Sequence, residues 1–200
     1  MQHSYFKQPP EVKDALAPYS YAFSLCMLEI LHLEGGLRDD GGINDIASDR
    51  GGLTKFGISQ RAFPNTDIAN LTLEQAIRLY HLHYWRPIHG DELAPGINLM
   101  MLDAAVQHGV ASTAEMLQRK LGPQADGIIG PNTLRELLTL SSSTVIARLS
   151  VGRGRKYARI CVNDPSQKPN LEGWYNRLEH VQIMRSWGQS CCMRSWGQSC

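Results

Sequence analysis

An apolar run over residues 22–33 ends at a glutamate and is followed by a loop rich in glycine and aspartate. Wound as a helix, the run is apolar around most of its circumference, so it predicts a helix that is buried on most sides. Glu34 stands at the end of this helix, followed by Gly35 and Gly36. A buried helix that ends with the carboxyl of Glu34 at the start of a polar loop indicates acid-base chemistry at Glu34.

Acid-catalysed hydrolysis of a glycosidic bond needs a carboxyl of this kind. The leaving oxygen must be protonated as its bond breaks, and apolar surroundings favour the protonated form of a carboxyl. We therefore predict Glu34 as the general acid. In the wetter loop, Asp49 is predicted to support charge in the transition state, and Thr54 to support charge or hold a water. Glycine and aspartate are also the ordinary residues of turns, so composition alone favours a plain loop. The loop aspartates are Asp39, Asp40, Asp45 and Asp49.

Two groups of segments occur in a fixed order along the chain. The first group comprises residues 34–36 (EGG), 49–59 (DRGGLTKFGIS) and 84–87 (YWRP). The second group comprises residues 103–109 (DAAVQHG), 117–122 (LQRKLG), 126–134 (DGIIGPNTL), 157–159 (YAR) and 170–177 (NLEGWYNR). The first group resembles the N-terminal domain of glycoside hydrolase family 108, the muramidases of phage endolysins and related proteins. The second group resembles the predicted peptidoglycan-binding domain that usually follows it.

This resemblance implies a mostly α-helical protein, with a lysozyme-like catalytic domain followed by a small helical domain. We place the catalytic domain at residues 18–95 and the peptidoglycan-binding domain at residues 96–183. Residues 1–17 are predicted to form an N-terminal extension. Residues 184–200 contain one eight-residue sequence twice and are treated as a duplicated tail. The implied reaction is hydrolysis of the β-1,4 bond between N-acetylmuramic acid and N-acetylglucosamine in peptidoglycan glycan strands, without metal or organic cofactor.

The sequence departs from the family pattern directly after the first glycines. Leu37 stands where a tyrosine is usual, Ile46 replaces the usual proline, and the spacing to the second Gly-Gly is longer. Either Glu34 is the acid and is followed by an insertion, or Asp40 takes its place. We prefer Glu34, because the apolar helix runs directly into it and an aspartate reaches less far. The altered spacing keeps an inactive wall-binding protein open as an alternative.

A lytic transglycosylase is a further alternative within the enzymes. In that reaction a hydroxyl of the sugar itself replaces water, so a single glutamate suffices.

Four residues are candidates for substrate binding. Tyr84 and Trp85 offer rings that stack on a sugar, although aromatic residues at helical spacing also fill cores. Asp126 and Gly127 belong to a turn that the resemblance suggests contacts glycan. A tight loop between two helices would require the same residue types, so both interpretations of this turn stay open.

The charge balance argues against a dedicated nucleic-acid binder. The chain has 20 Lys and Arg against 19 Asp and Glu, a formal charge of +1. A basic cluster at Arg148, residues 152–156 and Arg159 is interpreted as a solvated helix face. His81 and His83 are two apart and do not share a helix face, so no metal site is predicted.

No apolar run is long enough to span a membrane, and no secretory signal is recognised at the N-terminus. We therefore expect synthesis in the cytoplasm, without membrane insertion. The resemblance implies that the protein acts on the cell wall, in the periplasm, after release through the pore of a holin.

Local signals place several helices. Residues 72–75 (TLEQ) and 112–115 (STAE) both read as capping boxes that open a helix. Pro131 is a natural first-turn residue. The inner stripe of a final helix is predicted at Leu171, Trp174, Leu178 and Val181.

Overall fold

The computed structural model describes residues 5–44, 52–122 and 125–195, with side chains described as far as Met184 apart from Phe6 and Lys120. Over these residues the protein is mostly α-helical and lysozyme-like, which confirms the predicted fold class. The strands are β1 (Thr54–Lys55) and β2 (Ile58–Ser59). The helices are α1 (Pro10–Leu16), α2 (Tyr21–Leu33), α3 (Leu73–Tyr80), α4 (Ile97–His108), α5 (Val110–Leu121), α6 (Pro131–Leu138), α7 (Ser142–Asn163) and α8 (Leu171–Ser195).

The chain divides into two compact units, residues 1–83 and 84–200. The domain limits taken from the sequence, 18–95 and 96–183, remain predictions, since a compact unit and a family domain need not share a boundary.

Helix α2 forms the core of the first unit, as its apolar run predicted. Ser20 caps its start, where the Ser20 Oγ accepts a hydrogen bond from the Phe23 N–H at 3.1 Å. Each large apolar side chain that α2 buries stabilises the fold by roughly 1.5–3 kcal/mol relative to an exposed side chain. The helix is therefore a rigid base for whatever stands at its end. Its buried residues are Phe23, Ser24, Cys26, Met27, Leu28, Glu29, Ile30 and Leu31.

Helix α1 lies within residues 1–17, the range predicted as an N-terminal extension, and that domain limit also remains a prediction. Val12, Ala15 and Leu16 are buried, and α1 packs against α3. These three residues share one helix face. A helix of only seven residues is too short to show a repeated apolar period in the sequence. Pro10 does not prevent the helix, because the first turn tolerates proline.

The β1–β2 hairpin is short and closes through a two-residue turn. Thr54 pairs with Ser59 and Lys55 with Ile58. The turn residues Phe56 and Gly57 have φ angles of 52° and 76°. Both lie in the left-handed region, as the favoured two-residue hairpin turn requires.

The two predicted capping boxes have opposite outcomes. At α3 the box is confirmed: Thr72 Oγ1 accepts from the Gln75 N–H at 3.3 Å, and Gln75 Oε1 accepts from the Thr72 N–H at 3.0 Å. The second box is wrong, because α5 begins earlier, directly after Gly109. Ser112 therefore lies inside α5, where its Oγ accepts from Lys156 Nζ.

Pro131 opens α6 as predicted. The stripe predicted for the final helix is partly buried in α8: Leu178 and Val181 are in the core, and Leu171 and Trp174 are half-buried. Helix α8 continues into the duplicated tail as far as Ser195.

Helix α4 is the core of the second unit and packs against α5, α7 and α8. All its residues from Ile97 to Ala105 are buried, including Asp103. The two carboxylate oxygens of Asp103 each accept from one arginine: Arg153 Nη2 at 2.5 Å and Arg177 Nε at 2.7 Å. One carboxylate thus joins α4, α7 and α8.

Polar side chains surround this ion pair. Gln107 Oε1 accepts from Arg153 Nη2 at 2.7 Å and from the Tyr157 hydroxyl at 3.0 Å. Both side chains of the Asp103–Arg153 pair are fully buried. We call Asp103, Gln107, Arg153, Tyr157 and Arg177 the buried arginine cluster.

His108, beside this cluster, makes the stability of the fold depend on pH. Burial, followed by the positive charges of Arg153 and Lys156, lowers the pKa of His108 to about 3 from its ordinary 6.5. Below pH 6.5, His108 of the unfolded chain therefore binds a proton, whereas His108 of the folded chain stays neutral until the pH approaches 3. Stability contributed by neutral His108 is complete above pH 6.5 and is lost as the pH falls from there towards 3, by at most about 1.4 kcal/mol per pH unit.

His108→Gln is expected to flatten this part of the pH dependence. Urea unfolding at several pH values between 7 and 4 measures it. The exposed His83→Gln variant serves as control and should keep the wild-type slope. Parallel curves for wild type and His108→Gln would show that His108 does not cause the dependence.

Candidate active site

The Glu34-Gly35-Gly36 element ends α2 with a Schellman motif. The Gly36 N–H donates to Leu31 O at 2.8 Å, and the Gly35 N–H donates to His32 O at 3.1 Å. Gly35 has a φ of 70°, which this motif requires and which glycine adopts without strain. The first glycine thus has a structural reason, and the helix end fixes the backbone of Glu34.

Glu34 is half-buried, and its side chain lies against the turn of the hairpin. A Cβ atom placed on Gly57 would be 2.7 Å from both Cβ and Cγ of Glu34. The same atom would be 2.4 Å from the Tyr80 hydroxyl oxygen. Only a residue without a side chain allows the hairpin turn, Glu34 and Tyr80 to approach so closely. Gly57 is therefore the point at which the three meet.

Tyr80 completes this arrangement from helix α3. Its side chain is 1% exposed, and its hydroxyl donates to Phe56 O at 3.0 Å. The sequence analysis assigned no role to Tyr80, Phe56 or Gly57. The signal that marks the turn is the Phe-Gly pair between two short β-type segments.

The residues that follow Gly36, where an insertion is predicted, form a second turn that contacts the hairpin. Gly41 and Gly42 have φ angles of 68° and 64°, and Asp40 Oδ1 accepts from the Gly42 N–H at 2.8 Å. Gly41 O accepts from the Phe56 N–H at 2.7 Å. Asp40 itself is exposed. The insertion is thus accommodated beside the hairpin, and Asp40 stabilises its turn.

The two predicted supporting residues have different outcomes. Asp49 and its neighbour Asp45 lie outside the described residues. Thr54 is half-buried in β1, and its hydroxyl donates to Gly52 O at 3.2 Å. Its backbone also pairs with Asn44, N to O at 2.9 Å in both directions. The first unit therefore contains both Glu34 and Thr54, and the role of the Thr54 hydroxyl remains a prediction.

Trp85, a predicted substrate-binding residue, lies in the core of the structure. It is fully buried, and its indole N–H donates to Asp91 Oδ2 at 2.9 Å. A Cβ atom on Gly90 would overlap its ring at 2.3 Å, so Gly90 packs flat against the indole. As placed, the ring has no exposed face for a sugar. Tyr84 is half-buried, and its substrate role remains a prediction.

The Asp126-Gly127 turn is held by Gln118 from helix α5. Gln118 Nε2 donates to Asp126 Oδ1 at 2.7 Å, and the Gly127 N–H donates to Gln118 Oε1 at 3.0 Å. Asp126 also accepts from the Ile128 N–H at 3.0 Å. These two bonds, the Ile128 N–H first, lower the pKa of Asp126. The contacts account for the turn structurally, and glycan contact at Asp126 and Gly127 remains a prediction.

None of the described helices is both long and apolar enough to span a membrane. Among the residues that the structure describes, no group of three or more His, Cys, Asp or Glu side chains is arranged to hold a metal ion.

Two family models of known proteins match successive parts of the chain. Residues 27–109 match the family model described as Glycosyl hydrolase 108, and residues 112–179 match the one described as Predicted Peptidoglycan domain. Together the two models span most of the chain. Over residues 27–109 the chain is similar to glycosyl hydrolase family 108. The two matches support a glycoside hydrolase that carries a peptidoglycan-binding domain, and they support peptidoglycan as its substrate class.

A solved structure supports the same fold. The chain is similar to the structure of Brucella abortus SagA, with 26% sequence identity and a TM-score of 0.71. The match covers 83% of this chain and 94% of that one. No curated protein matches the chain.

Proposed function

We propose that this protein is an N-acetylmuramidase that hydrolyses the β-1,4 bond between N-acetylmuramic acid and N-acetylglucosamine, with Glu34 as general acid. The position of Glu34 is the observation that supports this proposal most directly. It ends a buried helix, and its side chain is packed against Gly57 beside the Tyr80 hydroxyl. Asp40, the alternative acid, is exposed and accepts a hydrogen bond within its own turn.

The reaction follows from ordinary glycosidase chemistry. Protonated Glu34 donates its proton to the glycosidic oxygen as the bond to the N-acetylmuramic acid ring breaks. Ionised Asp49 supports the positive charge that develops on that ring. A water held by Thr54 supplies the oxygen of the new reducing end and releases one proton to solvent, and Glu34 takes up a proton from solvent for the next cycle. Proton transfer and water suffice for every step of this scheme.

The products test the bond and the nucleophile together. Digested peptidoglycan should release soluble fragments that end in a reducing N-acetylmuramic acid. A lytic transglycosylase would instead leave a 1,6-anhydro end, which is lighter by one water. Mass spectrometry separates these outcomes. Wholly anhydro fragments would contradict the proposal, and so would intact sacculi with the protein bound to them.

Thr54→Val tests the proposed water. The substitution keeps the shape of the side chain and removes the hydroxyl, so we expect turnover to fall while KM stays close to the wild-type value. Asp49→Asn should also lower turnover, since it removes the charge. Steady-state kinetics on solubilised glycan strands measures both. Wild-type turnover in the two folded variants would leave the loop with a scaffold role only.

We also propose that the protein is made in the cytoplasm and reaches the wall through a holin pore. Support comes from the resemblance of its E-G-G and D-R-G-G-L-T segments to those of phage endolysins. Cells that express the protein should lyse when a holin is expressed with it, and lysis at the same rate without a holin would contradict the proposal.

A further inference from the structure

The turn that contacts Glu34 is held in an unfavourable backbone conformation. Phe56 has a φ of 52°, and a bulky residue in the left-handed region is strained. Such a conformation persists only when the surrounding structure fixes it. Two hydrogen bonds do so here: the Phe56 N–H donates to Gly41 O at 2.7 Å, and Phe56 O accepts from the Tyr80 hydroxyl at 3.0 Å. The peptide units on both sides of Phe56 are thereby fixed.

The Phe56 ring adds a third restraint. A Cβ atom on Gly41 would be 2.6 Å from Cε1 of this ring, so the ring fills the space that Gly41 leaves open. Lys55 Nζ lies over the same ring, 5.4 Å from its centroid. Neither the ring nor the backbone of Phe56 can move without breaking these contacts.

The peptide unit between Phe56 and Gly57 lies next to the Glu34 side chain. Gly57 follows Phe56, and the space at its Cα is shared by Glu34 Cβ, Glu34 Cγ and the Tyr80 hydroxyl. Tyr80 is buried in helix α3, which itself begins at a complete capping box. A rigid helix therefore positions the hydroxyl, the hydroxyl positions the turn, and the turn borders the Glu34 side chain.

We infer that Tyr80 is a positioning residue for the acid: through its hydrogen bond to Phe56 O it holds the Phe56–Gly57 turn against Glu34 and so fixes the Glu34 carboxyl for proton transfer. The inference rests on the proposed role of Glu34. Its physical basis is that proton transfer requires the acid within hydrogen-bond reach of the leaving oxygen, and small displacements of a catalytic group have large effects on rate. The Tyr80 hydroxyl acts through the turn, by donating a hydrogen bond to Phe56 O.

Tyr80→Phe removes the hydroxyl and keeps the buried ring. We expect kcat on solubilised glycan strands to fall at least about tenfold, with KM and the thermal midpoint close to wild type. Tyr19→Phe is the matched control: this tyrosine lies in the same unit with its ring 5.0 Å from that of Phe23, and its variant should keep wild-type kcat. Wild-type kcat in Tyr80→Phe would overturn the inference. A loss of kcat that only follows the loss of folded protein would also overturn it.

A double variant shows whether Tyr80 acts through Glu34. Added to Glu34→Gln, the Tyr80→Phe substitution should cause little further loss, because the group that it positions is already gone. A full additional tenfold loss would overturn the inference. If Glu34→Gln alone keeps wild-type turnover, the proposed function fails whatever Tyr80→Phe does. If Glu34→Gln is inactive and Tyr80→Phe is fully active, only the positioning role fails.

A pair of glycine variants tests the same contact from the other side. Gly57 and Gly52 have similar φ angles, 76° and 66°, so alanine meets a similar backbone cost at both. A Cβ on Gly52 would meet only Gln60 Cβ at 3.7 Å, whereas one on Gly57 would collide with Glu34 and Tyr80. Gly57→Ala should therefore lose far more kcat per folded molecule than Gly52→Ala. Equal kcat in the two variants would contradict the inference.

Discussion

Glu34→Gln is expected to lose most peptidoglycan hydrolysis, by a factor of roughly 10²–10⁴, while the fold is retained. Glutamine has nearly the same shape as glutamate and cannot donate the proton that the leaving oxygen needs. Because the backbone of Glu34 is fixed by the Schellman motif at the end of α2, the amide should occupy the place of the carboxyl. Release of soluble fragments from purified sacculi measures the activity, and circular dichroism confirms the helical content.

Asp40→Asn is the matched control for this experiment. Asparagine keeps the Oδ1 acceptor that binds the Gly42 N–H, so the inserted turn should survive. We expect activity close to wild type. The opposite pattern, an inactive Asp40→Asn and a fully active Glu34→Gln, would place the catalytic acid in the inserted segment.

Asp103→Asn is expected to destabilise the second unit by about 3–5 kcal/mol. Asp103 is fully buried and faces both Arg153 and Arg177. Removal of its charge would leave two guanidinium groups with little compensation in a site of low dielectric constant. Urea unfolding at pH 7 measures the loss.

A surface ion pair provides the control. Arg119 Nη2 lies 2.8 Å from Glu115 Oε2, with both side chains well exposed. Because solvent screens such pairs, Glu115→Gln should lower the free energy of unfolding by less than about 1 kcal/mol. Similar losses in the Asp103→Asn and Glu115→Gln variants would show that the buried arginine cluster does not depend on its carboxylate.

The sequence predicted those features that depend on neighbouring residues. The apolar run before Glu34 is buried helix α2, and the Schellman motif ends it where glycine follows glutamate. The capping box at Thr72 and Gln75 is formed by residues three apart. In each case the interaction that decides the structure lies within one or two helical turns, so a single sequence contains the necessary information.

Features that depend on distant contacts were missed or misjudged. Tyr80 lies 24 residues from Phe56, whose carbonyl it binds, and the sequence shows only an apolar face of a helix. Trp85 was a candidate for sugar stacking, and its complete burial is a property of the folded core that the sequence pattern does not show. Tertiary packing decides such positions, and local patterns do not record it.

Digestion of purified peptidoglycan in water enriched in oxygen-18 tests the central claim most directly. If Glu34 is the acid of a muramidase, wild-type fragments should carry one heavy oxygen at the reducing N-acetylmuramic acid, and Glu34→Gln should release almost no labelled fragments. Label at N-acetylglucosamine ends, unlabelled fragments from the wild type, or full labelling by Glu34→Gln would contradict the account.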